Sequence, residues 1–278
     1  MLANLNIWAD VLATGMVFVA FLFWVFQIVG NTVTGRFKQK FRYEQWPEHD
    51  DVIPVFPRLL HFVHILTMIA LAFSGLYIRF PLYAGLKPLM QQIHFYNMYL
   101  VIIIVFIRII YAIFKDKHEF AVGGTDLKII PQVLMYYLFL RKQYPHIYKY
   151  NGLQKIIYGY IFPVILTLMA LTGFSMVWPK QMLGWLGGSQ ETMLAYARVS
   201  HFFLAMTIIT VILIHICLSF VEDYPAMLVF FGLRRQYWEE YEEQYFEDDE
   251  YFNGDDAPAS AKEKPTIDSP VKKPKKSG

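Results

Sequence analysis

The chain has 278 residues, 56% of them hydrophobic and 17% charged, with a net charge of +2 and one cysteine, Cys217. An average soluble domain is about 25% charged, and the apolar residues here run in unbroken blocks, which excludes a soluble globular class and places the chain in a membrane. One cysteine excludes a disulfide framework and an iron–sulfur site, there is no C-x-x-C-H for covalent haem, and no nucleic-acid partner is expected.

The first apolar segment, 7–29, follows an N-terminus without a basic leader region and reads as a retained membrane helix. It alone carries an acid, Asp10, near its end. Further segments at 59–78, 93–114, 156–178 and 200–221 approach the length of about 20 residues that a span requires. Trp8, Tyr77, Tyr83, Tyr158 and Trp178 lie near segment ends, as an interfacial aromatic belt does. The stretch 127–142 is apolar but short and contains Pro131, so it reads as an interfacial helix. Residues 237–252 are acidic and aromatic, and the end from 257 is rich in Pro, Lys and Ser and is expected to be disordered. Three parts follow: 1–57, an extra helix and basic linker; 58–224, a four-helix core; 225–278, a largely disordered tail.

Basic residues set the orientation. Arg36, Lys38, Lys40, Arg42 and Arg58 follow the first span, and Lys115, Lys117, Lys128, Arg141, Lys142, Lys149 and Lys155 follow the third. The other two loops hold only Arg79 and Lys87, or Lys180 and Arg198. The positive-inside rule expects the rich loops and the C-terminus in the cytoplasm and the N-terminus outside.

His49, His118 and His146 fall in loops and read as surface residues, whereas His61, His64, His94, His201 and His215 fall in spans. A single histidine in a span is more often a helix–helix hydrogen-bond partner, but the spacing of four of these favours ligation. His201 and His215 are 14 residues apart, close to four whole turns, so they share a face about 21 Å apart along the axis. By depth, His61 matches His215 near the cytoplasmic face and His94 matches His201 near the outer face. Each pair can axially ligate one haem iron, giving two six-coordinate centres suited to electron transfer. His64, one turn from His61, is left as a propionate partner, an alternate ligand or a proton handler for a quinone.

Cations near the surfaces would receive haem propionates. Arg58 and Arg198 each precede a histidine by three residues, and Arg108 follows His94 by 14. An unpaired arginine at that depth costs roughly 3 kcal/mol, which a propionate would offset. Snorkelling to the lipid surface is the alternative for Arg58 and Arg198. Gly75 and Gly173, in the similar contexts AFSGLY and ALTGFS, would admit a flat macrocycle or a close helix.

These residues resemble the four-helix dihaem cytochrome b family, which includes the membrane subunits of nickel–iron hydrogenase, formate dehydrogenase and thiosulfate reductase. The resemblance runs from Arg58 to about Val221 and rests on R-L-L-H ending at His61, Gly75 fourteen positions beyond it, His94 with Arg108, and His201 with His215. Phe62 stands where the family often has Trp, Met98 where it often has Gly, and the span at 7–29 is additional. The resemblance implies an all-α transmembrane four-helix haem-binding bundle plus one N-terminal helix, with His61, His94, His201 and His215 as ligands of two haem b groups. It also implies a quinone as exchangeable substrate, and an iron–sulfur subunit attached to a catalytic subunit of formate dehydrogenase or hydrogenase type.

The expected function is thus that of a membrane-anchoring electron conduit in the inner membrane of a prokaryotic cell, with no complete substrate site of its own. The alternatives are a free-standing haem-dependent oxidoreductase and a haem-free proton-coupled transporter or anchor; inverted repeats and broken helices, which mark many transporters, are not evident. The acidic stretch 237–252 either docks a cytoplasmic partner or is a solvated tail.

Overall fold

The computed structural model describes residues 2–43, 46, 54–115, 121–145, 150–184 and 189–233. The expectations for His49, His118, His146 and the segment beyond 233 lie outside the described residues. Within them every regular element is helical. The long helices are α1 (Leu2–Val33), α2 (Val55–Arg79), α3 (Lys87–Phe114) and α8 (Gln190–Glu222), together with a composite helix. That composite is α5 (Gly152–Ile156), a π-helical turn (Ile157–Ile161) and α6 (Phe162–Val177). These five are long and apolar enough to cross a bilayer. The short helices are α4 (Gly124–Tyr137), α7 (Pro179–Leu183) and α9 (Tyr224–Phe230). At 14 residues α4 extends about 21 Å, too little to span, as the sequence anticipates.

Local chemistry sets the helix ends. The Gly35 backbone at φ +73° ends the straight run of α1, a conformation that a side chain disfavours. Asn151 opens α5 with a capping box, its side-chain Oδ1 accepting from Gln154 N at 2.9 Å while Gln154 Oε1 accepts from Asn151 N at 3.0 Å. The π turn lies just before Pro163, which has no N–H to give to the residue 159 carbonyl, so the ladder slips there. At the end of α4, Phe139 takes the left-handed position usually given to glycine, with φ 61°. Leu140 N donates to Met135 O at 2.8 Å and Phe139 N to Tyr136 O at 3.0 Å, which closes a Schellman end.

α2 packs against α3, α6 against α8, and α1 along α8. Between the α2–α3 pair and the α6–α8 pair the backbones do not pack closely, and side chains bridge the interval. The outward faces carry large apolar side chains such as Phe18, Phe21, Phe73 and Phe106, which suits contact with lipid tails.

α1 joins the bundle through polar groups. Trp24 Nε1 donates to Leu213 O at 2.8 Å and Gln27 Nε2 to Tyr137 O at 2.9 Å. Beyond Gly35, Arg36 donates to the carbonyls of Tyr136 (3.0 Å) and Arg141 (2.6 Å), with its guanidinium 3.8 Å over the Tyr136 ring. Lys40 binds Glu222 at the end of α8. Arg36 and Lys40, counted in the sequence as loop cations, are therefore buried fastenings. The helical turn of α9 continues past residue 224, where the tail was expected to start.

Candidate functional site

Two of the four histidines, His94 and His201, meet across the interval between the two helix pairs; His215 is half-buried and His61 is exposed. His94 on α3 and His201 on α8 face each other with ring centroids 6.1 Å apart and planes at 70°. Each ring is held by a neighbouring helix. Ser74 Oγ lies 3.0 Å from His94 Nδ1, and Thr172 Oγ1 lies 3.0 Å from His201 Nδ1. The single hydroxyl protons are already given to backbone carbonyls, Ser74 to Ala70 O at 2.6 Å and Thr172 to Leu168 O at 2.8 Å. Toward the imidazoles both hydroxyls therefore act as acceptors, Nδ1 carries the hydrogen, and Nε2 keeps its lone pair. That is the tautomer a metal-ligating histidine needs, fixed by its outer partner.

The glycines belong to the same construction. A Cβ on Gly75 would sit 3.1 Å from His94 Cε1, and one on Gly173 would sit 3.4 Å from His201 Cε1 and 3.6 Å from Met98 Sδ. The sequence expects a macrocycle or a helix over these glycines; in the structure each meets an imidazole edge. Ser74-Gly75 and Thr172-Gly173 thus form matching cradles, one on α2 for the histidine of α3, one on α6 for the histidine of α8. The hydroxyl that precedes each glycine, in AFSGLY and ALTGFS, is the signal in the sequence that marks these cradles.

The second pair is His61 on α2 and His215 on α8. His61 lies within electrostatic reach of His215 and His64, and its ring rests 5.1 Å from that of Phe230 on α9. Tyr158, turned toward α8 by the π-helical segment, places its hydroxyl 2.7 Å from His215 Nδ1. That contact holds the His215 ring by its Nδ1 edge. The sequence expects Tyr158 only in an aromatic belt and gives Phe230 no role, since both contacts depend on how helices meet. His64 Nδ1 is buried and has no hydrogen-bond partner among the described residues. Arg58 Nη1 donates to Val229 O at 3.3 Å, Arg108 lies 5.6 Å from the centre of the Tyr111 ring, and Arg198 is exposed.

Among the described residues no three His, Cys, Asp or Glu side chains gather as a metal cluster. An ion taken by a histidine pair must bring its other ligands with it, as iron in a macrocycle does. Imidazole–metal bonds of about 2 Å on opposite sides of one ion put the ring centres roughly 6 Å apart, and the His94–His201 spacing matches. The residues present fit a haem.

Five helices long and apolar enough to cross a bilayer, with two histidines facing each other between helix pairs, suit a membrane cytochrome of the b type. The sequence model described as Prokaryotic cytochrome b561 matches residues 52–232, and the chain belongs to that family. It is a multi-pass membrane protein that binds haem b and transfers electrons. No curated protein and no solved structure matches the chain. α1 lies outside the residues that the family model matches.

Proposed function

We propose that the chain carries two haem b groups, one between His94 and His201 and one between His61 and His215. It would pass electrons between a quinone pool and an iron–sulfur subunit of a respiratory oxidoreductase of formate dehydrogenase or hydrogenase type. The observation that carries the reading is the facing of His94 and His201 at 6.1 Å with both Nδ1 positions satisfied. When bound, each haem supplies a one-electron couple at its iron.

The residues of the chain do the rest. Ser74, Thr172 and Tyr158 orient the ligating imidazoles, and Ser74 and Thr172, as acceptors, keep Nε2 of His94 and His201 unprotonated. Arg58, Arg108 and Arg198 are the cations toward which propionates would turn, and the unpartnered Nδ1 of His64 is a further polar group near the His61–His215 pair. The orientation favoured by the basic loops puts that pair toward the cytoplasm of a prokaryotic cell and the His94–His201 pair toward the outer face of its inner membrane.

The test is a reduced-minus-oxidised absorption spectrum of the purified chain with haem counted per polypeptide. Two b-type haems per chain are expected; one or none rejects the pairing. Affinity purification from native membranes tests the partner, and the expected companion carries iron–sulfur clusters.

A further inference from the structure

α1 and α8 run side by side in the same direction. Thr207 Oγ1 lies 3.8 Å from Met16 Sδ, Trp24 meets Leu213, and Lys40, past the end of α1, meets Val221. The register set by Met16 and Thr207 puts Asp10 level with His201 and Trp24 level with His215. The buried positions of α1, Ala9, Ala13, Ala20, Gln27 and Asn31, recur at steps of four and seven and so form one stripe. The half of the stripe level with His201 is alanine, whereas the half level with His215 is polar. There Trp24 Nε1 donates to Leu213 O at 2.8 Å, two residues before His215. Gln27 Nε2 donates to Tyr137 O at 2.9 Å, at the end of α4. The Tyr137 ring lies 6.3 Å from that of Tyr144, whose hydroxyl accepts from Nδ2 of Asn151, the cap of α5, at 3.0 Å. α5 runs into the π-helical turn that carries Tyr158 to His215.

Ion pairs already fasten α1 at both ends. Arg79 Nη2 donates to Asp10 Oδ1 at 2.7 Å, and Lys40 binds Glu222. The polar contacts between those ends are therefore surplus to fastening. Tryptophan in a span ordinarily sits at the membrane interface with its N–H toward water. Trp24 instead lies nine residues, about 14 Å, before the end of α1 at Val33, and gives its N–H to the backbone of α8. Leu213 O belongs to the turn that carries His215, so this bond fixes the rotation and depth of that turn. Gln27 fixes the elements that carry Tyr158. His215 is thus held from its backbone by Trp24 and from its ring edge through Gln27, while no polar side chain of the α1 stripe reaches the level of His201. We infer that Trp24 and Gln27 are positioning residues, through which α1 sets the orientation of the His215 imidazole and so the redox potential of the haem held there. The inference rests on the His61–His215 ligation proposed above. α1 lies outside the residues that the family model matches, so this control is added to the family's bundle from without.

The test uses the full haem-loaded chain in lipid nanodiscs under potentiometric titration, beside hydrogen–deuterium exchange of the same chain made without haem. Trp24→Phe keeps an aromatic ring and deletes the N–H; Gln27→Met keeps the length and deletes the amide, so either serves if the other fails to fold. Each should retain two haems, shift the midpoint potential and the low-spin ferric paramagnetic resonance signal of one, and leave the other as in the wild type. The haem that shifts should be the one lost in His215→Ala. Without haem, exchange should rise several-fold around His215 in Trp24→Phe and around Tyr158 in Gln27→Met. Met16→Leu, which touches α8 at Thr207, should change none of these. Unchanged potentials, equal shifts in both haems, or unaltered exchange overturns the inference and leaves the two-haem reading standing. Fewer than two haems in the wild type, or two retained in His215→Ala, rejects the two-haem reading and the role of α1 with it.

Discussion

The ammonium of Lys40 lies 2.5 Å from the carboxylate of Glu222, with the two side chains only 4% and 7% exposed. Lys40 also donates to Val221 O at 2.8 Å, so the link between the π-helical turn Lys38–Arg42 that follows α1 and the end of α8 is doubly made. Burial pulls the Lys40 ammonium below its ordinary value of 10.5, and the pull of Glu222 only partly offsets this.

Lys40→Met would leave the Glu222 charge buried without its counter-ion and should destabilise the protein by about 3–5 kcal/mol, because a lone buried charge is far worse than none. The double variant Lys40→Met with Glu222→Leu should recover most of that loss. Chemical unfolding in detergent compares the three. Since the folded chain releases the Lys40 proton before the unfolded chain does, the Lys40 contribution should make wild-type stability rise with pH between the lowered value and 10.5. The Lys40→Met protein should lack that rise.

Ser74→Ala and Thr172→Val each remove the acceptor for one Nδ1 hydrogen. Loss of such an outer partner commonly weakens metal binding about 10–100-fold. Each variant should weaken haem retention at one site and leave the other unchanged, which stepwise haem extraction followed by absorption spectroscopy resolves.

Gly75→Ala places a methyl group 3.1 Å from His94 Cε1, closer than an ordinary contact, whereas Gly173→Ala meets His201 at 3.4 Å. The first should displace its imidazole and reduce haem content; the second should be milder. Equal haem content in both variants would contradict the cradle geometry.

His215→Ala should remove one haem and stop electron transfer. Tyr158→Phe should retain two haems and shift the midpoint potential of one, because it deletes only the 2.7 Å contact to Nδ1. Redox titration with haem counting separates the two effects.

Asp126 on α4 meets Lys155 on α5 at 3.0 Å and accepts from Gly123 N at 2.8 Å. Partial burial raises the carboxyl, but the Gly123 N–H and the Lys155 ammonium outweigh it and hold it below its ordinary 3.8. This stabilisation is present above 3.8 and is lost as the pH falls through the lowered folded value. Asp126→Asn should therefore flatten the acid limb of an unfolding profile recorded by circular dichroism.

The spans were readable because hydropathy accumulates along a single helix, and His201 and His215 could be related because 14 residues on one helix fix both angle and depth. Ser74, Thr172 and Tyr158 were out of reach because their partners lie 20, 29 and 57 positions away, across interfaces whose rotation no single-helix periodicity sets. Arg36 and Lys40 obey the charge asymmetry used for orientation yet are enclosed, since α4 and α9 fold back over that end of the bundle. Asp10 reads as a stray acid until α2 brings Arg79 beside it.

Each imidazole of the His94–His201 pair is steadied by the adjoining helix of its own hairpin, α2 for α3 and α6 for α8. On the proposed ligation, each hairpin would carry half of a haem site as soon as its two segments have entered the bilayer. Biogenesis would then proceed in halves, two prefabricated arms inserting in turn and a macrocycle riveting them together.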